Sequence, residues 1–406
     1  LLHAMNGRAD EALRTINGVV RTRGRIYGGT HPTTIEAKAV RGMALQMQGL
    51  TGQAISAYRE VFSVIFSPEA SYDETAPRGL RSTYLPLALE AYLKLVADSA
   101  AKTGGRARED TIADAFMVAD RLRSSRVQQA LIDSANRSLV SSQPELLALV
   151  RKEQDLRGTQ RDAYREIVER LGEVDEVEKE IVAAAKAQKD VSGLREKREV
   201  ANKAAEALRK KVADIESERR SLQRELSQKF PEYVKLVNPQ AAGPAAIAKL
   251  LAADEALVSI FSSPTHTFVW AIRGNAAPAL HVAALGRDEI SGMVAQLRKT
   301  LDIGHLADPV GASYDFATAH RFYNILLEPV MPALNDAKLV NVVAAGALGQ
   351  IPFSVLVKQL PADRAFDSAA WLVRDFAISH TATVSAWLAL RQAAGRTRAG
   401  RPFFGF

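Results

Sequence analysis

The spacing of apolar residues divides the chain into three blocks, residues 1–144, 145–230 and 245–406. In the first block apolar residues recur at steps of three and four, which predicts amphipathic helices. One helix follows Pro32, where we predict a capping box in which the Thr33 hydroxyl and the Glu36 carboxylate satisfy free backbone amides. Its apolar residues are Ala37, Val40, Met43, Ala44 and Met47. Two later helical faces combine Tyr84, Leu87, Ala88, Ala91 and Leu95, and Ala113, Phe116, Ala119 and Leu122.

A sequence repeat lies within this block. The segment Gly7–Leu13 is echoed by Gly49–Ile55, a period typical of stacked helix pairs. Ala12 and Ala54 occupy the same place in the two copies, where a small residue lets paired helices approach closely. Arrays of such pairs present a concave surface, so we expect the repeats to bind a protein or peptide partner. The alternative is that so few repeats only brace the blocks that follow.

The second block, residues 145–230, predicts two long helices folded into an antiparallel coiled-coil hairpin. The turn is placed at Asp190-Val191-Ser192-Gly193, and Phe230-Pro231 ends the second arm. Each arm of roughly 40 residues would extend about 60 Å at 1.5 Å per residue. One seam combines Tyr164, Ile167, Leu171, Val174, Ile181 and Ala185 around Glu178, and the other Ala201, Ala205, Leu208, Val212, Ile215, Leu222 and Leu226 around Arg219.

Three roles stay open for this hairpin: a lever or docking spine, a spacer, and a surface for self-association. Self-association predicts assembly that is lost when Leu208 and Ile215 are replaced by charged residues.

The third block changes period and predicts strands alternating with helices. Strands are predicted at 257–261, 267–272 and 280–284 as an antiparallel meander, and later at 339–344 and 372–379. Helices are predicted at 286–301, 315–331 and 384–394. The fold class is therefore α+β with several domains: helical repeats, a helical hairpin and a C-terminal α/β portion.

Composition narrows the function classes. The net charge of +7 comes from 53 basic and 46 acidic residues that are interleaved, which argues against a nucleic-acid-binding stripe. The chain has no cysteine, so it forms no disulfide and fits a reducing, cytoplasmic environment. No apolar run is long enough to cross a membrane. Because residue 1 is Leu and residues 401–406 resemble the start of a buried strand, we expect an interior piece of a longer protein.

Two family resemblances follow from particular residues. The segment Tyr27–Thr34 and the 42-residue period resemble the tetratricopeptide repeats of kinesin light chains. The third block resembles the CHAT domain, a caspase-like module related to separases and associated with such repeats. The segment Tyr323–Val330 is similar to the family's helix before its first parallel strand, and Leu339–Leu356 to its strand, loop and "iPF..L" segment. The segment Val373–Leu390 resembles the next strand and helix.

The resemblance implies a bacterial cysteine endopeptidase whose catalytic His and Cys lie at the ends of later strands. This chain lacks both counterparts, so no catalytic, cofactor-binding or metal-binding residue is carried over, and we expect the chain itself to be inactive. The histidines offer no substitute, because they are expected in strands (His266, His281), in or beside helices (His305, His320) and after a strand (His380). The alternative function is a non-catalytic scaffold built on the repeats and the hairpin.

The main alternative prediction is a dinucleotide-binding site. The segment Ala344–Gly349 places an A-x-G-x-x-G pattern directly after a strand, but Pro352 falls where the phosphate-binding helix should continue. Asp363 and Asp367 lie in a loop-like stretch rather than at the end of the next strand. No Walker loop, G-x-S-x-G elbow or H-E-x-x-H pair is present.

Overall fold

The computed structural model describes residues 9–67, 84–99, 109–123, 143–231, 233–234, 242–274, 276–301, 314–362 and 365–393. The chain forms two compact units. The first unit comprises Leu1–Arg41, Glu69–Ser82 and Gln129–Pro239, and the second comprises Gly42–Pro68, Thr83–Gln128 and Gln240–Phe406. None of the described helices combines the length and the apolar character that crossing a membrane requires.

In the first unit, helix α1 spans Ala9–Tyr27. Helix α2 spans Pro32–Met47, and its residues up to Arg41 belong to this unit. The predicted capping box is wrong, because His31 and not Thr33 is the residue that precedes α2. The His31 Nδ1 atom accepts the Thr33 amide at 3.3 Å, and proline suits the first helical position because its missing N–H would be unpaired there anyway. Glu36 instead pairs with Arg23 of α1 at 3.6 Å.

The hairpin of the first unit consists of α6 (Pro144–Lys186) and α7 (Ser192–Lys229). The two helices run antiparallel, since Glu145 near the start of α6 pairs with Lys229 at the end of α7. Ile215 is buried in the seam and Leu208 packs against buried Val212. Charged residues at positions 208 and 215 would therefore open the hairpin itself and would not test self-association.

The seam of α6 departs from the predicted pattern near its end. Ala185 and Glu178 are exposed, whereas Val177 and Ala184 are half-buried on the side of buried Ile181. The reason is that a three-residue step is available from Val174 to Val177, so the charged side chain at 178 turns to solvent. There Glu178 pairs with Arg198 of α7 at 2.8 Å.

The second unit contains α3 (Thr51–Ile65), α4 (Tyr84–Ser99) and α5 (residues 109–123). The predicted face of α4 is partly wrong: Tyr84 and Leu87 are exposed. Its buried residues are Leu85, Ala88, Leu89, Tyr92, Leu93, Leu95 and Val96. Ala54 is fully buried, as a small residue at a close helix contact should be.

The sheet of the second unit has five strands in the order β3-β2-β1-β4-β5. The strands are β1 (Glu255–Ser262), β2 (Thr267–Arg273), β3 (Ala279–Ala283), β4 (Leu339–Val343) and β5 (Ala377–Thr381). The first three form the predicted antiparallel meander, whereas β4 is parallel to both β1 and β5. In register, Val258 of β1 pairs with Val342 of β4, which pairs with His380 of β5.

Four helices accompany the sheet: α8 (Pro244–Ala248), α9 (Arg287–Leu301), α10 (Phe316–Phe322) and α11 (Val384–Ala393). The helix predicted over 315–331 is interrupted, since α10 passes into a π turn at Tyr323–Leu327 and a 3₁₀ helix at Glu328–Leu334. Pro329 and Pro332 lack the amides that a continuing α-helix needs. The strand predicted at 372–379 begins only at Ala377, after a 3₁₀ turn at Leu372–Arg374.

One face of the sheet is packed mainly with apolar side chains. Val258, Val269 and Val342 lie there against buried residues of α9 and α10. This core, together with the mostly helical remainder of the chain, gives the α+β layout that the sequence predicts.

Candidate functional site: the polar face of the sheet

The opposite face of the three parallel strands carries four polar side chains. Side chains alternate along a strand, so Ser259 of β1, Asn341 of β4, and Ser379 and Thr381 of β5 share this side, which we call the polar face. Ser259 and Asn341 are buried. Burying a polar group costs free energy unless the group is hydrogen-bonded. The hydrogen-bond partners of these side chains therefore show which elements the polar face joins.

Two of the four side chains bond within the sheet. The Ser379 hydroxyl donates to Asn341 Oδ1 at 2.7 Å, and Asn341 Nδ2 donates to the Ala256 carbonyl at 3.2 Å. This chain of bonds ties β5 to β4 and β4 to β1. The Thr381 hydroxyl is buried without a hydrogen-bond partner among the described residues.

The third side chain, Ser259, is bonded by an arginine from α5. Arg123 Nη2 donates to Ser259 Oγ at 2.9 Å and to the Ile260 carbonyl at 3.1 Å. The same helix places Phe116 edge-on against Trp270 of β2, with ring centroids 5.7 Å apart. Helix α5 therefore covers the face that carries Ser259, with an aromatic contact towards β2 and a buried guanidinium at β1.

Asp120, one turn before Arg123, joins the same helix to α11. Its Oδ1 atom accepts Arg123 Nη1 at 3.2 Å and the Val384 amide at 3.2 Å. Val384 is the first residue of α11, whose N-terminus is also capped by Thr383 Oγ1, which accepts the Ala386 amide at 3.1 Å. A carboxylate at this position is favoured by the partial positive charge of the helix N-terminus.

The other end of α11 is anchored to the sheet as well. Arg391 pairs with the buried Glu255 carboxylate at the start of β1 and lies over the Trp387 ring at 5.3 Å. Glu255 Oε2 also accepts the Ala252 amide at 3.0 Å. Helix α11 is thus held at its N-terminus through α5 and at its C-terminus through β1.

Electrostatics make the Asp120–Arg123 pair sensitive to disruption. Both side chains are buried. Burial raises the pKa of Asp120, and the Arg123 charge and the Val384 amide oppose that rise. Arginine keeps its proton in proteins, so removing the carboxylate would leave a buried, uncompensated cation.

Sequence reasoning did not single out Asp120 and Arg123. The signal was present: the predicted apolar face of α5 runs through Phe116 and Ala119, and steps of four and seven residues from Phe116 reach Asp120 and Arg123. Two charged residues on an otherwise apolar helix face predict a buried ion pair.

The described histidines lie mostly where the sequence placed them. His281 lies in β3 and His320 in α10. His320 Nδ1 lies 3.1 Å from the Val357 carbonyl and its Nε2 is 3.1 Å from Asn324 Nδ2. Two placements were wrong, because His266 lies in the turn before β2 and His380 lies inside β5 next to Phe353. His305 is outside the described residues.

The glycine pattern after β4 has a geometry unlike that of a dinucleotide site. Gly346 adopts a positive φ of 64°, but the chain then forms only a three-residue 3₁₀ helix at Leu348–Gln350. A cradle for a pyrophosphate requires the N-terminus of a full helix at this point. Within the described residues, no group of three or more His, Cys, Asp or Glu side chains could hold a metal ion.

The arrangement therefore links α5, a helix of the first sequence block, to β1 and to the N-terminus of α11 through buried hydrogen bonds. Comparisons of the chain with protein-family models, with curated proteins and with solved structures found no match.

Proposed function

We propose that this chain is the regulatory and structural front portion of a bacterial CHAT-family, caspase-like cysteine endopeptidase. In this proposal the helical repeats bind a protein partner, and the chain itself contributes no catalytic residue. The proposal assigns the peptidase reaction to a His and a Cys of the parent protein. The proposal rests on the resemblance of segments 323–330, 339–356 and 373–390 to that family.

The order of elements supports the resemblance. The segment likened to the family's first parallel strand forms β4, which is parallel to its neighbours. The segment likened to the preceding helix, Tyr323–Val330, lies in the π turn and the 3₁₀ helix that follow α10. The segment likened to the next strand and helix contains β5 and α11.

The observation that supports a regulatory role for the chain is the ion pair between Asp120 and Arg123. These residues belong to the predicted repeat block, yet their side chains bond β1 and the first residue of α11. A partner that shifts α5 would therefore act on β1 and on the N-terminus of α11. A relay requires an element with two discrete arrangements, and the proposal assigns that role to this pair.

The experiment is covalent labelling of the full parent protein with an irreversible peptidyl electrophile, with and without a bound partner. We expect labelling that disappears when the parent's catalytic Cys is replaced by Ala. We also expect Arg123→Met to reduce the stimulation by the partner more than the basal labelling. A folded, partner-bound parent that takes up no label would contradict the proposal.

That negative outcome would favour a scaffold. The specific observation behind this second candidate is that none of the 406 residues is a cysteine. A scaffold predicts partner binding with the same affinity whether or not Arg123 is present, because no catalytic state is coupled to it.

A further inference from the structure

An imidazole lies at the junction between the first helical pair and the hairpin of the first unit. His31, in the turn between α1 and α2, stacks on the Tyr27 ring with centroids 4.8 Å apart and an interplanar angle of 20°. The Tyr164 ring of α6 meets it edge-on, also at 4.8 Å. Tyr27 and Tyr164 contact each other at 5.2 Å, so the three rings form one cluster.

The hydrogen bonds of this cluster require a neutral imidazole. The Thr33 amide can only donate, so the Nδ1 atom that it contacts at 3.3 Å must be an acceptor. The Thr33 hydroxyl lies 2.9 Å from the same Nδ1 atom. The ring proton therefore belongs on Nε2. Protonation of Nδ1 would turn the contact with the Thr33 amide into a clash between two donors at the first turn of α2, whereas the Thr33 hydroxyl could rotate to accept.

Some charged groups around the His31 ring oppose its protonation and others favour it. Arg23 of α1 donates to the Thr33 carbonyl at 2.7 Å and disfavours a second positive charge. Glu36 of α2 pairs with Arg23 at 3.6 Å. Because this carboxylate already interacts with Arg23, it does little to stabilise a positive charge on His31. On the hairpin side, Tyr164 Oη lies 3.1 Å from Glu216 of α7 and 3.2 Å from the Tyr27 carbonyl. The carboxylate thus reaches the cluster only through the phenol.

The balance favours the uncharged ring. Burial and then Arg23 lower the pKa of His31 from 6.5 to about 4. A protonated imidazole on the Tyr27 face would gain a cation–π attraction of only about 0.5–1 kcal/mol. It would lose the bond from the Thr33 amide that caps α2, and a lost N-cap costs about 1 kcal/mol.

We propose that His31 is an acid-sensitive latch that holds the α1–α2 turn against the middle of the hairpin. When the imidazole is neutral, it caps α2 and completes the ring cluster with Tyr164; when it is protonated, the turn leaves α6. This device stands apart from the proposed peptidase role, because every group in it belongs to the first unit.

The sign of the pH dependence follows from the lowered pKa in the docked state. The docked form prefers the unprotonated ring, so docking is fully favoured above pH 6.5 and is progressively lost as the pH falls towards 4. One proton is taken up on release, so the ratio of released to docked molecules should rise about 20-fold between pH 7 and pH 5.

Two measurements on the whole chain test the latch. The first is an NMR titration of the imidazole carbons, with the His31 signal assigned by its disappearance in His31→Asn. We expect a midpoint well below 6.5, because the docked state opposes protonation; a midpoint between 6 and 7 would overturn the proposal without reference to any variant.

The second measurement uses the absence of native cysteine. Spin labels on Thr22→Cys and Arg161→Cys, exposed positions of α1 and α6, report the separation of these helices. We expect a longer-distance population that grows between pH 7 and pH 4.

The same labels in His31→Asn should show no growth of that population, because asparagine keeps an acceptor for the N-cap but does not titrate. His266→Asn, which lies outside the cluster, should behave as the wild type does. No growth in the wild type, or equal growth in His31→Asn, would refute the latch.

Discussion

At the scale of single residues, the second unit depends on one buried charged pair. Arg123 makes three hydrogen bonds, to Asp120, Ser259 and the Ile260 carbonyl. A buried ion pair adds little stability compared with a well-packed apolar pair, but breaking it by removing one partner is expensive. The pair therefore specifies where α5 lies more than it stabilises the fold.

Arg123→Met should lower the free energy of unfolding of the second unit by about 3 kcal/mol, because Asp120 would stay buried with one donor fewer. The three tryptophans, at positions 270, 371 and 387, all lie in this unit, so urea unfolding followed by tryptophan fluorescence measures the effect. The control is Arg59→Met, which breaks the more exposed pair with Asp114 and should cost at most about 1 kcal/mol. Equal losses in the two variants would contradict the account.

A second residue-scale prediction concerns Gly286. A Cβ atom there would lie 2.1 Å from the Pro264 carbonyl oxygen, which is backbone and cannot swing away. Gly286→Ala should therefore destabilise the unit by about 1–3 kcal/mol through overpacking. Gly292→Ala is the matched control, since a Cβ at that position within α9 meets nothing within 4 Å. It should stabilise by up to about 1 kcal/mol through helix propensity.

At the scale of elements, the hairpin carries a polar layer in an otherwise apolar seam. Arg219 of α7 donates to Glu153 at 3.0 Å and to Gln160 at 2.6 Å, both on α6. Gln160 Nε2 donates to Glu216 at 3.2 Å, and Arg157 adds a second contact to Glu153 at 2.5 Å. These groups can all be satisfied only in one alignment of the two helices. A polar residue in a coiled-coil seam fixes register at a cost in stability.

Replacing this polar layer with apolar residues should maintain or raise the stability of the hairpin and allow more than one register of its two helices. Glu153→Leu with Arg219→Leu should leave the hairpin as stable as the wild type or up to about 4 kcal/mol more stable, whereas Arg219→Leu alone should be strongly destabilising. Register can be read by disulfide formation, because the ion pair between Lys152 and Glu218 at 2.9 Å marks the native alignment.

Two cysteine pairs distinguish the outcomes. Lys152→Cys with Glu218→Cys should cross-link in both backgrounds. Lys152→Cys with Glu225→Cys, one heptad out of register, should cross-link only when the polar layer is replaced. Cross-linking of the slipped pair in the wild type would show that the layer does not set register.

At the scale of the whole molecule, the elements were more predictable than the contacts between distant parts of the sequence. Periodicity located the meander and both hairpin arms, because their side chains face one core each. It missed the N-cap of α2, since His31 caps through its ring and the pattern of Thr33 and Glu36 matched a commoner motif. It gave no account of why Arg219 interrupts the seam, because the partner lies 66 residues away at Glu153.

The candidate site was out of reach for the same reason. The contacts of Arg123 with β1 and of Asp120 with α11 join residues that are 136 and 264 positions apart. A helix pattern reveals that these two charges lie on a buried face, but only the folded chain reveals what they bind. Long-range pairing of this kind depends on tertiary packing and leaves no period in the sequence.

The division into two units leads to the last prediction. The hydrogen-bond partners of Arg123 lie in the second unit and those of Arg219 in the first, with no partner in common. Effects at sites that share no partner usually add. In the wild-type background, Arg123→Met should therefore shift the urea transition seen by tryptophan fluorescence. A fluorophore on Lys152→Cys should report only a shift caused by Arg219→Leu. If either substitution moves both transitions equally, the two units unfold as one cooperative body, and a partner bound to either unit would act on the other through global stability and not through the Asp120–Arg123 pair.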